Sequence, residues 1–142
     1  IETHIVPLAI EAARKGNTFK MFGDNYDTED GTCVRDYVHV MDLADAHIKA
    51  LNYASERLRS EVFNLGSAAP ASNKKLLNTI EKYTGKMNIE VHGKRPGDPA
   101  YLVADITKAQ KELGWEPTQS SIDNVVSTAV QWYNNTHKKE IQ

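Results

Sequence analysis

The 142 residues predict an α/β fold, a small sheet covered by helices. Three observations carry that expectation. Stretches with apolar residues at spacings of three and four alternate with short stretches of extended periodicity. Gly16, Gly85 and Gly114 stand where helices should stop. No repeat or low-complexity tract interrupts the alternation, so a single α/β unit is expected.

From His4 to Lys15 the residues Ile5, Leu8, Ala9, Ala12 and Ala13 form one helical stripe, with Pro7 tolerated in the first turn because its missing N–H has no partner there. Thr18 to Phe22 reads as a short strand ended by Gly23. Asp24 to Gly31 offers almost nothing to bury and reads as a polar loop. Val34 to Val40 is extended, with Val34, Asp36, Val38 and Val40 on one face and Arg35, Tyr37 and His39 on the other. Asp42 is the expected N-cap of a helix to about Leu58, whose stripe is Leu43, Ala46, His47, Ala50, Leu51 and Ala54. Glu61 to Leu65 is expected as a strand closed by Gly66. Ser72 caps a helix with core positions Leu76, Leu77, Ile80 and Tyr83, and Asn88 to His92 is a further strand. Residues 93–99, with two prolines and two glycines, cannot be regular. Asp105 caps a short helix ended by Gly114, Trp115 anchors in the core, and Ser120 with Asp123 resembles a capping box for a last helix buried through Ile122, Val125, Val126, Ala129, Val130 and Tyr133. Lys138 and Lys139 read as its solvated tail.

Composition excludes several classes of function. Seventeen Lys plus Arg against nineteen Asp plus Glu, interleaved, give no basic face for nucleic acid. No apolar run approaches the roughly 18 to 20 residues of a membrane span, and the first residues lack the pattern of a signal peptide. One cysteine, Cys33, allows no internal disulfide and no CxxC pair, so a cytoplasmic protein is expected. His39 and His47 sit on different elements without a third ligand, and are expected to be partly buried and hydrogen-bonded rather than metal-binding.

No Gly-rich dinucleotide turn, P-loop or GxSxG elbow is present, and no Tyr stands four residues before a Lys. Two segments nevertheless carry recognition chemistry. Asp30 to Val40 delivers Arg35 and Tyr37 to one face, a guanidinium beside a phenol, which suits a phosphate with a flat or hydroxylated neighbour. In Arg95-Pro96-Gly97-Asp98-Pro99 a stiff irregular backbone holds one cation and one carboxylate. The bland alternative is an Arg–Asp surface pair inside each motif, worth little.

The run from Phe22 to His47, with Glu2 to Pro7 before it and Phe63-Asn64-Leu65-Gly66, Arg95-Pro96-Gly97-Asp98-Pro99-Ala100, Ala104-Asp105 and Leu113-Gly114-Trp115 after it, resembles the UDP-glucose 4-epimerases. These are extended short-chain dehydrogenase/reductases, and the resemblance covers about residues 2–133. It implies that residues 1–142 are the C-terminal substrate-binding segment of an NAD(P)-binding Rossmann-type enzyme. The NAD domain and its Tyr-x-x-x-Lys pair would lie upstream, in keeping with a chain that opens on Ile1 at the entrance of a helix. Region 34–65 would pack against that absent domain. The implied reaction interconverts UDP-galactose and UDP-glucose through transient NAD-dependent oxidation at C4, in a homodimer, with this segment inactive alone. Another NAD-dependent nucleotide-sugar epimerase, dehydratase or decarboxylase, or a non-catalytic nucleotide-sugar-binding module, is the alternative.

By the same resemblance Arg35 contacts the UDP diphosphate, Arg95 is a second phosphate-side arginine, and Asp98 accepts from the ribose hydroxyls. Phe22 and the backbone around Lys20 and Met21 read the uracil edge, His4 and Ile5 open the nucleotide pocket, and Tyr37 is a further contact. The sequence departs from the pattern after Gly66, where an extra glycine and an apolar residue following the serine are expected but Ser72 is followed by Asn73. Lys94 stands where a second arginine is often found, and Cys33 is assigned no role.

Overall fold

The structure, a computed structural model, describes residues 2–137, so the expectation for Lys138 and Lys139 falls outside the described residues. Ten elements follow one another: α1 (Ile5–Lys15), β1 (Thr18–Phe22), β2 (Val34–Arg35), α2 (Val40–Arg57), β3 (Ala71–Ser72), α3 (Asn73–Thr84), β4 (Asn88–His92), β5 (Tyr101–Leu102), α4 (Thr107–Leu113) and α5 (Ile122–Thr136). The α/β class is as expected, but the strands divide into two small sheets. β1 pairs in parallel with β4, Thr18 opposite Asn88 and Phe22 opposite His92. β2 lies between β3, antiparallel, and β5, parallel.

Two apolar clusters form the core, one on the β1–β4 sheet and one between α2 and α4. Phe19 and Met21, alternate residues of β1, face Ala9 and Ile10 of α1, Leu76, Leu77 and Ile80 of α3, and Val126 and Val130 of α5. The second cluster gathers Ala46, Ile106 and Ala109 around Trp115, which is completely buried and donates Nε1–H to the Asp42 carbonyl at 2.9 Å. Burying a side chain of this kind contributes about 1.5 to 3 kcal/mol. Helix ends follow local chemistry: Gly16 adopts φ +69° beyond α1, and the Ser72 hydroxyl accepts from Lys75 N–H at the start of α3.

Several expectations need correction. His39, not Asp42, caps α2, its Nδ1 accepting from Met41 N–H. Asp42 is buried one turn in, where its carboxylate accepts from Gln119 N–H and the Ser120 hydroxyl. Ser120 also accepts from His39 N–H at 2.8 Å, which ties the start of α2 to the segment before α5. Ser121 is therefore the cap of α5, accepting from Asn124 N–H, and the Ser120–Asp123 capping box does not form. Asp105 accepts from Thr107 N–H one residue ahead of the position assigned as the α4 cap. Tyr83 is 38% exposed and lies outside the buried core, its hydroxyl reaching Asp123 on α5. His39 is buried and hydrogen-bonded as expected, whereas His47 is exposed, its ring 2.7 Å from the Leu43 carbonyl oxygen.

Extended structure after Arg35 forms no ladder, and neither does Glu61–Leu65. The second failure has a plain cause: no other strand of the described residues runs beside 61–65, and a strand exists only through its neighbour's hydrogen bonds. The loop 24–31 also buries more than expected. Tyr26 is packed under Gly23, and Lys94 Nζ stands 4.5 Å from the centre of its ring.

Candidate functional site

A cavity of about 730 Å³ opens between the N-terminal half of α1, β1, β2 with the residues after it, the start of α3 and the loop after β4. β1 forms one wall. Its alternation sends Phe19 and Met21 into the core while Lys20 and Phe22 remain accessible from the cavity, and Ile5 and Leu8 of α1 add apolar surface. Three cations, Lys20, Arg35 and Arg95, line it against the carboxylates of Glu11 and Asp98. Glu11 is bound to Lys15 at 2.7 Å.

Arg35 is largely buried and firmly held. Its Nη1 donates to the carbonyls of Val34 and Pro99, both at 2.9 Å, and its Nη2 stands 3.5 Å from Asp98 Oδ1. Thus the cation of one motif pairs with the carboxylate of the other, across 63 residues of chain. The pairs within each motif do not form. Arg95 instead lays its guanidinium 3.8 Å from the centre of the Phe22 ring, whose neighbour on β4 is His92 at 5.4 Å. Asp36 is turned away from the cavity, its Oδ1 accepting from Ser67 N–H at 2.6 Å and its Oδ2 from Ala104 N–H at 3.0 Å. It braces the strand from behind. Gly66 is required there, since a Cβ would lie 2.4 Å from Asp36 Oδ2.

Tyr37, two residues beyond Arg35, reaches the same cavity as period-two alternation demands. Burial pushes its phenol up to about 12, with the Arg35 charge opposing and Cys33 adding to the rise. The neutral hydroxyl donates to Asn73 Oδ1 at 3.0 Å. Behind it, Asp30 holds the approach to α3. Burial raises its carboxyl, but the hydroxyls of Ser72 and Thr32 and the Thr32 N–H outweigh that and lower it.

Of the residues named from sequence, Ile5, Lys20, Met21, Phe22, Arg35, Tyr37, Arg95 and Asp98 all border this one cavity. His4 does not: it is exposed, with its ring 2.7 Å from Glu2. Asn73, Thr3 and Leu8 also border the cavity and were not named. For Asn73 a signal existed, a polar residue where an apolar one is expected. Chemically, the arrangement can bind phosphate oxygens, hydroxyl groups and a flat apolar ring. Among the described residues no group of three His, Cys, Asp or Glu side chains could hold a metal ion, and no helix is long and apolar enough to cross a membrane.

The family model described as GDP-mannose 4,6 dehydratase matches residues 1–128. The UDP-glucose 4-epimerase of Lacticaseibacillus casei is 47% identical over 136 residues, which is 94% of this chain and 41% of that protein. That of Lactobacillus helveticus is 46% identical over 139 residues, 96% of this chain and 42% of the relative. Among solved structures, the Brucella ovis UDP-glucose 4-epimerase in complex with NAD matches with TM-score 0.87 and 36% identity, covering 93% of this chain and 41% of the other. The Stenotrophomonas maltophila enzyme with bound NAD and formylated UDP-arabinopyranose matches with TM-score 0.90 and 31% identity, over 97% and 41%. The chain thus spans about two fifths of these relatives' length, and the fold matches their C-terminal part.

Proposed function

The chain belongs to the GDP-mannose 4,6-dehydratase family, and on that premise we propose that it is the substrate-binding part of a UDP-glucose 4-epimerase, interconverting UDP-galactose and UDP-glucose. One observation carries this reading. Arg35, Tyr37, Arg95, Asp98 and Phe22, drawn from separate stretches of the chain, border a single cavity whose volume suits a nucleotide-sized ligand. In this reading Arg35, preorganised by two carbonyls, presents its fork to the diphosphate, and Arg95 supplies the second positive charge. Asp98, an acceptor-only group when ionised, takes hydrogen bonds from the ribose hydroxyls. Phe22, Lys20, Met21 and Ile5 form the wall for the base, and Tyr37 closes the cavity beside Arg35.

The solved relatives contain NAD, the hydride carrier of such a reaction. The residues of this chain do not fit it. β3 runs directly into α3 through Ser72, and α2 begins at Val40 after His39, so neither junction has the Gly-rich turn that cradles a pyrophosphate. We assign NAD binding and proton transfer to the rest of the enzyme, read as a cytoplasmic homodimer, with region 34–65 packed against its nucleotide domain. Support for that packing is the exposure of Leu51 (71%), Ile48 (62%) and Val62 (78%), together with the unladdered stretch 61–65.

The test is kinetic. In the full-length enzyme Arg35→Ala removes the proposed guanidinium partner of the diphosphate, a loss of about 2 to 5 kcal/mol in binding, so KM for UDP-galactose should rise at least 30-fold, by roughly that energy. An unchanged KM removes Arg35 from the site. Turnover of UDP-galactose by the 142-residue chain with added NAD would overturn the division of labour.

A further inference from the structure

Asp30 does not border the cavity, yet it joins two of the segments that form it. Gly31, at φ +79° and with no room for a Cβ against the Asp24 carbonyl, turns the chain back so that Asp30 faces its own Thr32. Asp30 Oδ1 accepts from Thr32 N–H at 3.0 Å and from the Thr32 hydroxyl at 2.7 Å, and Oδ2 accepts from the Ser72 hydroxyl. A hydroxyl has one proton, and both hydroxyls give theirs to the carboxylate. Both must then meet α3 as acceptors, Thr32 Oγ1 from Lys74 N–H at 3.1 Å and Ser72 Oγ from Lys75 N–H at 3.0 Å. The first turn of α3 holds no acidic residue, so the negative charge that its dipole and its two lysines favour comes from Asp30, one hydroxyl away.

These bonds fall where Arg35 is set. Thr32 leads through Cys33 into β2, Ser72 ends β3 opposite Val34, and the Cys33 carbonyl accepts from Asn73 N–H at 2.9 Å. β2 and β3 have two residues each, shorter than strands that hold their own register. We infer that Asp30 is a positioning residue for this site: through the Thr32 and Ser72 hydroxyls it clamps β2 to the start of α3 and so aims the Arg35 guanidinium at the diphosphate. The inference rests on the proposed UDP-sugar site. The base wall, Lys20 to Phe22, belongs to the other sheet, which the clamp does not touch. Loss of the clamp should therefore weaken the hold on phosphate and spare the hold on the nucleoside.

The experiment measures binding of UDP and of uridine to the full-length protein by calorimetry, uridine in competition with UDP, in wild type, Asp30→Asn, Thr32→Val, Ser121→Ala and Arg35→Ala. Uridine carries the base and ribose without phosphate. Asp30→Asn replaces one acceptor oxygen by a donor, and Thr32→Val keeps the shape of a buried side chain while deleting its hydroxyl. Ser121→Ala removes the cap of α5, away from the cavity, and serves as a purely structural loss. The preference for UDP over uridine should shrink by about 3- to 12-fold in Asp30→Asn and in Thr32→Val, the net worth of about one hydrogen bond to the diphosphate, with uridine affinity held within about 2-fold, and should be unchanged in Ser121→Ala. An unchanged preference in either clamp variant, an equal fall for UDP and uridine, or as large a loss in Ser121→Ala overturns the inference. If Asp30→Asn does not fold, Thr32→Val decides alone. If Arg35→Ala also keeps the wild-type preference, the site reading fails as well; if Arg35→Ala loses it while the clamp variants keep it, only the role of Asp30 falls.

Discussion

Replacing Asp36 by Asn changes one atom, yet it should loosen the frame that presents Arg35 and Tyr37. The carboxylate accepts from two backbone N–H groups at once, Ser67 through Oδ1 and Ala104 through Oδ2. Those bonds join β2 to the turn after Gly66 and to the residues following β5, which have no sheet pairing of their own at that point. An Asn keeps one acceptor and turns a second N–H towards an N–H. Hydrogen bonds to a charged group contribute about 1.5 to 3 kcal/mol each, so Asp36→Asn should cost about 2 to 3 kcal/mol and Asp36→Ala, which loses both, about 3 to 6. For a protein of this size the Asn variant should melt about 5 to 10 °C lower. Urea unfolding followed by circular dichroism gives the free energy directly, with Asp45→Asn as comparison. Asp45 pairs with Lys49 on the surface of α2, and its loss should stay within about 0.5 kcal/mol. An Asp36→Asn protein as stable as Asp45→Asn would refute the bracing argument.

Two further outcomes follow from the same packing. Trp115→Phe should destabilise by about 2 to 3 kcal/mol and Trp115→Ala by about 3 to 5, because both remove volume from a fully buried position and leave the Asp42 carbonyl without its donor; denaturant midpoints would check this. Tyr37 sets a pH dependence. Its phenol is held near 12 in the folded protein against about 10 when unfolded, so between those values the folded state keeps the proton more tightly. The stabilisation is fully present below pH 10 and is lost as pH rises through 12, by up to about 3 kcal/mol. Unfolding at pH 9 and pH 11.5 should show a steeper decline for wild type than for Tyr37→Phe; equal declines would contradict the assignment.

The parts of this molecule legible in its sequence are those governed by local rules. The stripe of α5, most of those of α1 and α3, the Gly16 stop, the Ser72 cap and the burial of Trp115 follow from spacing and backbone preference, whereas Ile10 is buried outside the expected α1 stripe and Tyr83 leaves that of α3. What could not be read depends on partners far along the chain. Asp42 has the residue type of an N-cap, but Gln119 and Ser120 claim its carboxylate, and the cap passes to His39. Glu61–Leu65 has the pattern of a strand without a neighbour to make it one.

The site shows the same division. Arg35 and Tyr37 could be placed on one face by alternation, and Arg95 and Asp98 on one stiff loop. That Arg35 would take Asp98 as its partner, leaving Arg95 to Phe22, required the fold to bring β2 against the loop after β4. His4, expected at the pocket entrance, turns to Glu2, whereas Asn73 enters because α3 starts beside Tyr37.

The central claim is that this cavity holds the nucleotide of a UDP-sugar. A crystal structure of the full-length protein with UDP-glucose tests it most directly. The account predicts the diphosphate within hydrogen-bonding distance of the Arg35 and Arg95 guanidinium groups, with a ribose hydroxyl on Asp98. A UDP moiety bound elsewhere, with Arg35 still engaged only by Pro99, Val34 and Asp98, would contradict it.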